Sequence, residues 1–185
     1  MLRKILLVAC FACLAVQPSL ADPEEDFQLC ANIANDHAEA IRRCTAAIDS
    51  GELSVTKLSI SYSNRAYEYQ VLEQFDRALS DAVRATEINP KNSMGWGQRG
   101  LANLSLGRTS EAVQDFEKTL EVVDELGNTV ATVGNSAEFT AAANLAFIYD
   151  ESGNGGSVPG PLGRAYNLAP DHSAMQGLYK KYGLK

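Results

Sequence analysis

Three of the residues best suited to do chemistry fall at even spacing: Cys30, His37 and Cys44. Soft ligands in such a row could suggest a metal, but zinc takes four ligands, or three and a water. No fourth ligand accompanies these three, so no metal is expected. Cys10 and Cys13 form a C-x-x-C, but inside an N-terminal apolar run, and they read as part of that run rather than as a redox pair. The second histidine, His172, brings no nucleophile–base–orienter set with it. The glycine-rich stretch at 153–163 has no lysine after it and no strand before it, so it reads as a loop and not as a phosphate cradle. Neither a catalytic residue nor a cofactor is expected.

Residues 1–21 read as a secretory signal. Arg3 and Lys4 give a positive start, 5–16 a short apolar core, and Ser19-Leu20-Ala21 small residues where a signal peptidase reads. The core is too short to span a bilayer. Leu7-Val8-Ala9-Cys10 resembles a lipoprotein box but comes too early in the chain, so lipid anchoring at Cys10 is not expected. The expected location is the periplasm or the exterior, with no integral membrane segment after cleavage. Losing two basic residues takes the net charge from −7 to −9. That balance argues against nucleic acid, which needs basic patches, and against an anionic membrane surface.

The elements that must position any site repeat. Tyr62, Ala66, Tyr69, Phe75, Ala78, Ala82, Ala85 and Pro90 mark two short helices around a tight turn. About 34 residues on, Tyr62 becomes Trp96, Ala66 becomes Gly100, Ala78 becomes Ala112 and Ala82 becomes Phe116. Small residues at fixed offsets let antiparallel helices approach closely. Alternating strand patterns are scarce, so the class is all-α.

This pattern resembles the tetratricopeptide repeat family, here as an exported bacterial member. The resemblance implies a right-handed α-solenoid of three to four helical hairpins within 22–185. The expected units are a divergent repeat at 24–49, repeats at 59–90 and 93–124, and a degenerate repeat at 136–170. The period breaks over 121–135, a short helix is expected near 161–168, and an amphipathic helix over 171–182 should cap the stack. Glu111, Asp115, Glu117 and Lys118 are assigned to the solvent face.

In the first unit the register places Cys44 where Ala82 and Phe116 stand, with Cys30 opposite on the first helix. In an exported chain these two cysteines are expected to oxidise to a disulfide. The same register places Asn64, Gln98 and Asn144 on the concave face, with Tyr67, Leu101 and Phe147 three residues later. Amides beside an apolar row suit a protein or peptide partner. Equally, the amides could bond neighbouring backbone and the apolar row could pack on the cap. Some members of the family clamp C-terminal carboxylates with basic groove residues. Here Met94 and Gln98 occupy those places, while Arg65 and Arg99, one step away, should face the partner helix or the rim. An exported interaction module is the reading that follows. A self-assembling scaffold, and a ligand binder or enzyme built on 125–163, are the alternatives.

Overall fold

The computed structural model describes residues 22–32, 35–126 and 133–184. The segment 1–21, expected to be a signal, lies with Cys10 and Cys13 outside the described residues. Nine α-helices and no strand occur among those described. They are α1 (Pro23–Asn32), α2 (His37–Asp49), α3 (Val55–Val71), α4 (Phe75–Ile88), α5 (Ser93–Ser105), α6 (Thr109–Leu126), α7 (Val133–Glu151), α8 (Pro159–Leu168) and α9 (Gln176–Lys181).

Each hairpin turns on a left-handed residue after its first helix: Asn35 (φ 67°), Glu73 (φ 56°), Gly107 (φ 74°) and Gly153 (φ 74°). Such a residue lets the next amide reach back to a helix carbonyl. Gln74 N–H donates to Tyr69 O and Arg108 N–H to Asn103 O, each at 2.8 Å. Asp36, Ser54 and Asn92 cap the starts of α2, α3 and α5 by accepting from Glu39, Lys57 and Gly95 amides.

Each first helix packs on its own second helix, and each second helix packs on the next first helix. First helices also touch one another, α1 on α3, α3 on α5 and α5 on α7, whereas successive second helices make few or no close backbone contacts with one another. That asymmetry curves the stack, with the first helices inside. Small residues fill the contacts: Ala66, Ala78, Ala82, Ala85 and Ala112 are buried. Phe116 is wholly buried beside Gly100, where an added Cβ would lie 2.6 Å from the ring. Tyr62, Phe75 and Trp96 are half-buried.

Several boundaries differ from expectation. The fourth unit begins at Val133 rather than 136, and α8 at Pro159 rather than 161, because proline fits a first helical turn, where its missing N–H costs nothing. The cap is not one helix over 171–182. A 3-10 turn, Ser173–Met175, precedes the six-residue α9. Met175, Leu178 and Tyr179 nevertheless bury themselves against Ala142, Ala146, Val158, Leu162 and Ala165.

Candidate interaction surface

The inner layer carries two register-matched positions on each of α3, α5 and α7. Tyr67 is 49% exposed and Phe147 37%, with Val71 and Leu72 also exposed at the end of α3 and just beyond it. Leu101, between them in register, is half-buried and packs toward Ala112, Phe116, Ala141 and Leu145. The three amides have different neighbours. Asn64 Nδ2 lies 3.8 Å from Cys30 Sγ. The Gln98 carbonyl oxygen is buried with no hydrogen-bond partner among the described residues. Asn144 Nδ2 donates to Thr140 O, 2.8 Å away in its own helix. One of the three therefore does bond neighbouring backbone. The apolar row is not covered by the cap, whose residues pack on α7 and α8.

Cys30 and Cys44 form a disulfide that ties α1 to α2, with a Cα–Cα distance of 4.7 Å. Arg43 adds a second tie, donating to Asp26 at 2.9 Å. His37, the middle residue of the spaced trio, instead meets Glu68 of α3 through Nδ1 at 2.6 Å. Among the described residues no cluster of acidic, histidine and cysteine side chains could hold a metal ion.

A repeating ion pair escaped the sequence reading. Arg65 donates to Asp81 at 2.7 and 2.9 Å while lying 5.4 Å from the Tyr62 ring centroid. One repeat later Arg99 donates to Asp115 at 2.7 Å and stacks 4.2 Å from the Trp96 ring. Each arginine also reaches the second helix of the preceding unit, at Thr45 and Thr86. Asp115 is therefore only 2% exposed, which corrects its assignment to solvent: it needs the interior because its arginine is there. The signal was available, since Arg65 and Arg99 are one period apart, each 16 residues before its aspartate. Both arginines face the partner helix, already paired, and are not offered to a carboxylate in the groove.

A second polar link binds units together. Asn92 Nδ2 donates to Ser59 Oγ at 2.7 Å and Ser63 Oγ at 2.8 Å, all buried, while its oxygen caps α5.

Comparison with known proteins bears on this arrangement. A family model described as "Tetratricopeptide repeat" matches residues 95–122. The chain is 40% identical over 89 residues to heat shock protein STI1 of Saccharomyces cerevisiae, a match covering 48% of this chain and 15% of that protein. Residues 95–122 thus carry a tetratricopeptide repeat, and the likeness to this relative extends over about half of the chain. Human serine/threonine-protein phosphatase 5 is 35% identical over 89 residues, 48% of this chain and 17% of that protein. Small glutamine-rich tetratricopeptide repeat-containing protein 2 of S. cerevisiae is 31% identical over 101 residues, 53% of this chain and 28% of that protein. The chain thus spans less than a third of the length of each of these relatives. A solved structure titled "MamA AMB-1 P212121" aligns with a TM-score of 0.45 and 17% identity, over 84% of this chain and 94% of that one. The tetratricopeptide architecture accounts for the small residues at the helix contacts and the tight turns; the arginine–aspartate pairs and the disulfide are read from this chain's own side chains.

Proposed function

We propose that this chain is an exported interaction module that takes a peptide or protein segment against α3, α5 and α7. One observation carries the reading: Tyr67 and Phe147 stay exposed at matching register positions on the inner layer. Large apolar groups on a concave face favour a partner that removes them from water. The Gln98 oxygen supports it as an acceptor without a donor, which a backbone N–H would satisfy once the side chain turns outward. Arg65 and Arg99 are engaged by Asp81 and Asp115, so the segment is held by apolar contact and amides rather than through a terminal carboxylate. Export rests on Arg3, Lys4, the apolar core and Ser19-Leu20-Ala21. No helix among the described residues is long and apolar enough to cross a membrane.

The test is capture from a cell-envelope extract with wild type and a Tyr67→Glu/Phe147→Glu variant, altered only at exposed positions. The variant is expected to lose the captured partner and keep its helical circular dichroism. Unchanged capture overturns the inner surface as the site. Amino-terminal sequencing of the protein from fractionated cells tests export, with Asp22 expected as the first residue.

A further inference from the structure

The outer side of the stack holds a groove that the proposed function does not use. Second helices α6 and α8 do not close on each other; they splay over α7. Between them lies an open cavity of about 670 Å³. Leu120, Leu145 and Pro161 give it apolar lining, beside the ring of Tyr149. Its acidic wall is a stripe on α6: Glu117, Glu121, Asp124 and Glu125. Their spacing of four, three and one residues keeps them on one side of a helix.

No cation lines this groove among the described residues. Lys118 reaches Glu121 from beside it, at 2.7 Å. Arg164 of α8 pairs with Asp124 and Glu138, and its hydrogen bond holds the Asp124 carboxyl below its ordinary value. Among the described residues Glu117 receives only a neutral donor, the Tyr149 hydroxyl at 2.7 Å. Burial, and then that carboxylate, push the Tyr149 phenol up to about 12, so it stays a donor throughout the physiological range. Four carboxylates thus meet two cations supplied from outside the lining, and the mouth is left negative. The carboxylates do not converge closely enough to hold a metal ion.

We propose that this groove docks a cationic segment of a second protein, one apolar side chain resting on Leu120, Pro161 and the Tyr149 ring while flanking lysines or arginines face the α6 stripe. An acidic or neutral segment gains nothing from the stripe, and an acidic one is repelled. The net charge of the whole chain, −7, adds long-range attraction for the same class of partner. The site uses different residues from the inner layer: its walls lie on α6 and α8, and on α7 it is lined by Leu145 and Tyr149 rather than by Asn144 and Phe147.

The probe is a fluorescein-labelled peptide with two leucines between pairs of lysine and arginine, read by fluorescence anisotropy on the full chain. Binding is expected, and it should weaken steeply with added salt. A Glu117→Gln/Glu125→Gln variant, altered only at exposed positions, should bind on the order of tenfold more weakly. Replacing the peptide's leucines by serine should weaken it further, and Tyr67→Glu should leave it unchanged. The proposal is overturned by no binding at millimolar peptide, by equal affinity of the double variant, or by loss of binding with Tyr67→Glu alone. The last result would assign the peptide to the inner surface instead.

Discussion

Gly100 and Phe116 exchange bulk with their counterparts one repeat earlier, Ala66 and Ala82. Where repeat two meets alanine with alanine, repeat three meets a ring with no side chain at all. Gly100→Ala therefore sets two effects against each other. Overpacking a closed core costs about 1–3 kcal/mol. Replacing glycine within a helix returns up to about 1 kcal/mol. The ring is wholly buried and cannot swing away, so the variant should be less stable, by about 1–2 kcal/mol in chemical denaturation. In a Phe116→Ala background the sign should reverse, because the clash is gone. Glu73 presents the opposite case. It holds φ 56° where the next repeat has Gly107 at 74°. A side chain in that conformation costs about 1–2 kcal/mol, part of which the greater unfolded freedom of glycine cancels. Glu73→Gly should raise stability by about 0.5 kcal/mol, measured by the same denaturation.

Among the described residues the first hairpin has a neighbour on one side only, and α1 is a ten-residue helix. Helices that short are marginal without partners. The disulfide encloses about 15 residues, worth roughly 3 kcal/mol in the chain-entropy account. Removing it with Cys30→Ala/Cys44→Ala should act locally. Amides of α1 should lose hydrogen-exchange protection, while those of α5 and α6 keep theirs. Equal loss along the whole chain would contradict the staple. Positions 65 and 99 belong to this scale as well. Each arginine joins the two helices of one hairpin and reaches the hairpin before it, so the pair is a device for stacking rather than for binding.

The assembled stack has two ends and two faces. At the far end, Met175, Leu178 and Tyr179 cover Val158, Leu162 and Ala165. A chain stopped after Asp171 would leave that surface in water, and open ends of such stacks lead to association. It should elute as larger species in size-exclusion chromatography while the full chain does not. Between the faces, curvature sorts function: first helices pressed together present Tyr67 and Phe147, and second helices splayed apart open the groove over α7.

Much of this was legible in advance, for a local reason. Hairpin contacts repeat every 34 residues, so small residues, aromatics and turn residues recur at offsets that can be read without coordinates. The cysteine pair was legible too, since the register put Cys30 and Cys44 on facing helices. Other features depended on which helices meet across units, and periodicity along one strip of chain carries no such information. Asp115 looked like solvent charge until Arg99 was found against it. Asn64, Gln98 and Asn144 looked alike until one lay beside the disulfide, one had no partner and one turned back on its own helix. The α6–α8 groove exists because curvature separates the second helices, and curvature is a property of the packed stack, not of any hairpin within it.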